Sequence, residues 1–188
     1  MMAPATRIGL VVEGDSERRL FEELRPWFRS RGLEIKVVQA GGRPRLIQEA
    51  RQHLEVLRLR NCQCVFFLLD QDDDPCPPAV VTLLGALRQD PDVIICVIAR
   101  ELEAWLLADT AAVHKATGQT VPAIQTDDLD QPVNRLKQLF HRGPGHKYPT
   151  KTEMVRRLSR HFDLDRAASG NRSARRFVRK LAAVSSGS

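Results

Sequence analysis

The chain has 188 residues and a formal net charge of +6, with 43% hydrophobic and 28% charged side chains. That is enough apolar material for one sizeable domain with a buried core, and the chain carries no repeats or low-complexity segments. No apolar run approaches the length of a membrane span, and Met1 to Arg7 lacks a signal-peptide core, so no membrane association and a cytoplasmic location are expected.

In chain order, Arg7–Val12 reads as a short strand ending at Glu13-Gly14-Asp15-Ser16-Glu17. Gly14 permits a tight turn, Asp15 or Ser16 can cap a helix, and Glu17 falls in its first turn. That helix carries Leu20, Phe21, Leu24 and Phe28 on one stripe and is expected to end near Gly32. Leu33–Val38 alternates as a second strand. Gly41-Gly42 breaks the chain, and a helix follows to about Arg60 with Leu46, Ile47, Leu54 and Leu57 inward. Cys64–Asp70 is a continuous apolar run ending in acid, the pattern of a strand buried on both faces of a parallel sheet. A helix over Ala79–Arg88 and a fourth strand, Val93–Ile98, come next. The block Arg100-Glu101-Leu102-Glu103-Ala104-Trp105-Leu106-Leu107-Ala108-Asp109 follows it.

Four strands alternating with helices predict an α/β fold with a mostly parallel four-stranded sheet and helices on both faces. The expected organisation is a core over 7–110, a basic helical extension over 111–184 packed on it, and a disordered tail at 185–188. Within the extension, 110–130 reads as irregular, Pro132–His141 as a helix, and 143–149 as turns. Thr150–Phe162 and Asn171–Val184 read as closing basic helices. Residues 141–188 hold 12 Lys and Arg against 3 Asp and Glu, whereas residues 1–140 hold 17 against 20. An acidic-leaning body with a basic end suits a phosphate-rich partner held near a metal, although a solvated helix face would give the same counts. Cys62, Cys64, Cys76 and Cys96 lack Cys-x-x-Cys spacing, which disfavours structural zinc; Cys64 and Cys96 fall in strands as small hydrophobes.

The chemistry concentrates where β-type sequence stops. Asp70, Asp72, Asp73 and Asp74 put four carboxylates within five positions, and like charges this close need a cation or a proton. Oxygen ligands with little nitrogen or sulfur nearby favour Mg²⁺ or Mn²⁺. A solvated loop is the competing reading. Three of the four strands end in acid, at Glu13, at Asp70 with Asp72, and at Glu101 with Glu103. In a parallel sheet these ends share one edge, where ligands bind in open α/β folds.

Val12-Glu13-Gly14 together with Leu69-Asp70-Gln71-Asp72 resembles the Toprim domain of topoisomerases, primases and overcoming-lysogenisation-defect nucleases. Val12-Glu13-Gly14-x-x-Glu17, Asp70-x-Asp72, Glu101-x-Glu103-Ala-Trp105-Leu-Leu-Ala-Asp109 and Tyr148-x-x-Lys151 together resemble the domain-of-unknown-function 4276 family. These are Toprim-like small bacterial proteins often associated with phage-defence and restriction systems. The resemblance covers roughly residues 7–183. It implies a Toprim-like fold and a Mg²⁺-dependent nuclease or related phosphodiester chemistry. Asp70 and Asp72 would hold one or two metal ions, with Glu13 as ligand or general acid/base. Glu101 or Glu103 would complete a second metal's shell, and Lys151 would meet transition-state charge. Lys147, Arg156, Arg157, Arg160, Arg175, Arg176 and Arg179 would contact nucleic-acid phosphates, DNA more readily than RNA.

Each assignment has a plainer competitor. Glu17 suits a helix N-terminal charge, Asp73 and Asp74 solvent or a helix cap, Glu103 a salt bridge to Arg100, and Trp105 the core. Tyr148, His141 and His146 suit packing or exposed loop positions. The alternative function is a catalytically weak nucleic-acid-binding subunit of a multi-protein defence system. The chain has no Gly-x-x-x-x-Gly-Lys-Ser/Thr motif, so an ATPase would have to be a separate partner. A homodimer is compatible with all of these. A haloacid-dehalogenase-like phosphatase ranks last, because its aspartate pair belongs on the first strand and Asp70-x-Asp72 follows the third.

Overall fold

A computed structural model describes residues 5–72, 77–141 and 149–186. Four strands form one parallel sheet: β1 (Thr6–Val12), β2 (Leu33–Gln39), β3 (Cys64–Asp70) and β4 (Val93–Ile98), in the order β2-β1-β3-β4. The chain first steps from β1 to one side, then returns to lay β3 on the other side of β1. That reversal leaves a crevice beyond the carboxyl ends of β1 and β3, the usual ligand position of such sheets. The α/β expectation with helices on both faces holds.

Strand periodicity divides the core. Ile8, Leu10, Val12, Phe66, Leu68 and Ile98 point to one face, and Val11, Val65, Phe67 and Leu69 to the other. The second face is covered by α3 (Arg43–Gln48), α4 (Ala50–Leu59) and α5 (Pro77–Thr82). The first is covered by α1 (Asp15–Glu23) and α2 (Arg25–Arg29), then by everything after β4. These later helices are α6 (Leu102–Ala108), α7 (Thr110–Thr117), α8 (Pro132–Phe140), α9 (Lys151–Ser159), α10 (Leu164–Gly170) and α11 (Arg172–Ser186). Phe177 of α11 contacts Phe21, Phe66 and Trp105 with ring centroids 5.7, 5.6 and 5.4 Å apart. One aromatic ring thus joins α1, β3, α6 and α11, and the C-terminal helices complete the core of the sheet.

Several elements differ from the expected ones. The first helix breaks at Leu24, where Pro26 begins a new short turn, and the helix before β3 breaks at Glu49. The Ala79–Arg88 helix is instead α5 followed by a 3₁₀ turn over Gly85–Gln89, with Gly85 at φ 54°. Residues 110–117 form α7 rather than irregular chain, because the Asp109 carboxylate accepts from the Ala112 N–H and Gly118 ends the helix at φ 76°. Leu164–Gly170 is also helical, capped by Asp163, whose carboxylate accepts from Asp165 N and Arg166 N. The expected disordered tail is corrected at its start: α11 runs to Ser186, and Ser185 Oγ donates back to the carbonyls of Leu181 and Ala182. Among the described residues no helix is long and apolar enough to cross a membrane.

Candidate active site

Beyond the ends of β1 and β3 lies a cleft of about 510 Å³ lined by Glu13, Gly14, Asp15, Ser16, Glu17, Gln39, Gly41, Gly42, Asp70, Asp72 and Lys151. Local structure positions each group. Glu13 follows β1 directly, and its Oε1 accepts the Asp70 N–H at 3.0 Å, spanning the two strand ends. Gly14 lets the Glu17 carboxylate come close: its N–H donates to Glu17 Oε2 at 2.9 Å, and a Cβ there would meet that same oxygen at 2.9 Å and push the side chain aside. This capping contact turns Glu17 toward the cleft, where its carboxylate acts on both Glu13 and Asp70. Gly41 and Gly42 hold the opposite wall by donating to the Glu13 carbonyl at 3.1 and 2.8 Å.

Asp70 is 8% exposed, and its Oδ1 has no hydrogen-bond partner among the described residues. Burial, reinforced by the Glu17 and Glu13 charges, pushes its carboxyl well above the ordinary range against the pull of Lys151. Burial also raises Glu13 to about 7; the Asp70 N–H opposes this and Asp72 adds to it. Asp72 is the wetter member, with a 45% exposed side chain, φ 49°, and Arg43 Nη1 at 3.3 Å from Oδ2.

Lys151 opens α9, which is capped by Thr150 accepting from the Glu153 N–H at 3.2 Å. The helix start therefore delivers the lysine to the cleft from the C-terminal region, where sequence reasoning expects it. Its Nζ lies 3.1 Å from Glu103 Oε2 and forms an ion pair with it. Burial alone would lower the lysine, but the Glu103 and Asp70 charges outweigh it and keep the ammonium firmly charged. Complete burial raises Glu103 despite the lysine.

The expected ligands do not all converge. Glu103 does not line the cleft; Lys151 stands between it and Asp70, and Lys151 rather than Arg100 is its ionic partner. Glu101 turns to a neighbouring cleft and accepts the Val133 N–H at 3.3 Å, satisfying the N-terminus of α8. The second-metal role expected of Glu101 or Glu103 therefore meets competing partners, although Glu101 shares its cleft with Asp72 and the Glu103 charge acts on Asp70. Trp105 is fully buried, as expected, and its indole N–H donates to Ser173 Oγ at 2.8 Å.

The arginines do not form one face. Arg156, Arg160 and Arg179 are exposed. Arg157 pairs with Glu153 at 2.6 Å, and Arg176 lines a groove beside β4. Arg175 is exposed as well, and its guanidinium donates to the carbonyls of Ala168 and Ser169 at 2.9 and 3.0 Å, closing the end of α10. Lys147, with Asp73, Asp74, Cys76, His146 and Tyr148, lies outside the described residues.

Two cleft-side groups carried weaker signals in sequence. Glu17 was legible as the i+4 partner of Glu13 in a capping pattern, which also describes an ordinary helix start. Arg43, beside Asp72, was marked only by the preceding glycine pair. The donors are hard carboxylate oxygens, and Asp70 Oδ1 has no partner among the described residues, so the residue types suit Mg²⁺ or Mn²⁺ in kind. Among the described residues no three carboxylate, histidine or cysteine groups already stand close enough to form a metal shell.

A family model described as "Domain of unknown function (DUF4276)" matches residues 12–182. The chain belongs to this family. The match runs from the end of β1 into α11, so the cleft and the helices that deliver Lys151 both fall within the DUF4276 region. No curated protein and no solved structure matches the chain.

Proposed function

We propose that this DUF4276 protein is a Mg²⁺- or Mn²⁺-dependent nuclease, or a related phosphodiester-cleaving enzyme, with a Toprim-type acidic site. The observation that carries this reading is the meeting of Glu13, Glu17, Asp70, Asp72 and Lys151 in one cleft at the switch point of the sheet, with a buried aspartate oxygen left unpartnered. Asp70 and Asp72 would hold the ion, with Glu13 beside them. When bound, it would polarise the phosphodiester and lower the pKa of water. Glu13, raised to about 7, can exchange a proton near neutral pH and so suits a general acid/base. The Lys151 ammonium is held in place by Glu103 and offers fixed positive charge to phosphoryl oxygens. Exposed Arg156 and Arg160 extend from the same helix as Lys151 and suit backbone phosphates, which positions nucleic acid without reading its sequence. A role in phage defence, with a partner ATPase, is compatible with this chemistry.

The test is calorimetric titration of Mg²⁺ and Mn²⁺ into wild type and Asp70→Ala/Asp72→Ala, with plasmid and single-strand nicking on the same samples. Metal binding and nicking that both disappear in the variant support the proposal. Metal binding without nicking on any substrate points to an accessory subunit. Absence of binding in both proteins overturns the metal site.

A further inference from the structure

Two cavities of about 390 and 820 Å³ lie side by side along the outer edge of β4, away from β3. Both are lined by Val81, Arg88, Ile95 and Lys180. Together they form a slot with β4 as its floor, α5 and the following 3₁₀ turn as one wall, and α11 as the other.

Backbone direction alternates along a strand. Ile98 faces β3, since its carbonyl accepts from Gln71 N at 2.9 Å, so Ile95, Val97 and Ala99 face the slot. Helix α11 covers part of this edge: Ser173 Oγ accepts from Ala99 N at 3.2 Å, and Lys180 Nζ donates to the Ile95 carbonyl at 2.6 Å. Between these two caps, the Ile95 N–H and both backbone groups of Val97 have no partner among the described residues. The Lys180 side chain reaches the edge from α11 and guards it as a lysine on the strand itself would. Here it covers one carbonyl and leaves the adjacent stretch open.

We propose that the slot is a strand-docking site for an extended acidic segment of a partner protein, which would pair with Ile95–Val97 as a fifth strand. Among the described residues the lining contains Arg88, Arg176 and Lys180 and no acidic residue, which complements glutamates or aspartates of a docked strand. Val81, Val97 and Val184 accept the intervening apolar side chains. A second copy of this chain would bring its own three cations against these. A nucleic-acid strand would find no exposed aromatic ring in the lining to stack on, because Phe177 is fully buried. This surface lies apart from the acidic cleft and does not depend on its chemistry.

The experiment uses a short fluorescein-labelled peptide alternating glutamate with valine and threonine. Its controls are a lysine-for-glutamate version, a version N-methylated at alternate residues, and a short oligothymidylate. Fluorescence anisotropy should show binding of the acidic peptide alone, and hydrogen exchange at Ile95 and Val97 should slow in its presence. Arg88→Glu/Arg176→Glu should weaken binding roughly tenfold with an unchanged melting temperature. If that variant melts early, Arg88→Gln/Arg176→Gln replaces it. Absence of binding, equal binding of the lysine or N-methylated peptide, or unchanged exchange at Ile95 and Val97 overturns the proposal. So does protection of these amides by the oligonucleotide, or by raised protein concentration without peptide.

Discussion

Two buried aspartates follow or end secondary elements of this protein, and their surroundings are opposite. Asp109 is 1% exposed, and both its oxygens are saturated. Oδ1 accepts from Ala112 N and Arg166 Nε at 3.1 and 2.8 Å, and Oδ2 from Asp163 N and Arg166 Nη2 at 2.8 and 2.9 Å. The group thereby pins α6, α7 and α10 together. Asp70 is 8% exposed, has one oxygen without a partner, and sits among other carboxylates. A saturated buried carboxylate stabilises the fold, whereas an unsaturated one among like charges weakens it and stays available to a ligand.

The largest expected effect is at the saturated site. Asp109→Ala should cost about 3 kcal/mol in urea denaturation, because it removes four hydrogen bonds to a buried carboxylate and orphans the Ala112 and Asp163 N–H groups. Asp70→Asn should leave the metal-free protein as stable as wild type or more so, while abolishing Mg²⁺ binding by calorimetry. Equal destabilisation by both substitutions would erase the contrast.

Lys151→Met should cost about 2 kcal/mol, discounted for a side chain that is 40% exposed, since it strands the fully buried Glu103. Adding Glu103→Gln should recover most of that loss; additive losses in the double variant would show that the ion pair is incidental.

A pH series sharpens the comparison further. Glu13 is raised to about 7 in the folded protein from an ordinary value near 4.5, so the folded state holds a proton that the unfolded state has released. Its contribution is complete at acid pH and is lost as pH rises through about 7, at no more than ~1.4 kcal/mol per pH unit. Melting of the metal-free protein should therefore fall across this window, with Glu13→Gln flattening the curve. Added Mg²⁺ should stabilise more strongly above pH 7 than below it. The smallest change is expected from Ser173→Ala, about 1 kcal/mol, for the bonds to Trp105 Nε1 and Ala99 N.

Much of the architecture was legible before any coordinates. The continuous apolar run of β3 has every residue buried, and the sheet is parallel, as its hydrophobic pattern demands. Glu13, Asp70 and Asp72 were picked out by their place at strand ends and Lys151 by the family resemblance, and all four line one cleft. Glu101 was misplaced because it follows a strand in the same way as the others, while a local backbone donor at Val133 competes for its carboxylate. Arg175 looked like its neighbours in a basic run, but the free carbonyls at the end of α10 take its guanidinium. Helices α7 and α10 were missed because short helices owe their stability to caps and packing more than to periodicity.

Local sequence determined the strands, the turn at Gly14 and the clustering of acid at strand ends, since period, capping and turn chemistry act over a few residues. Tertiary structure alone decided which acids became structural and which stayed free. That outcome depends on donors brought from far along the chain: Val133 to Glu101, Lys151 to Glu103, and Asp163 with Arg166 to Asp109. Among the described residues none brings such a donor to Asp70 Oδ1.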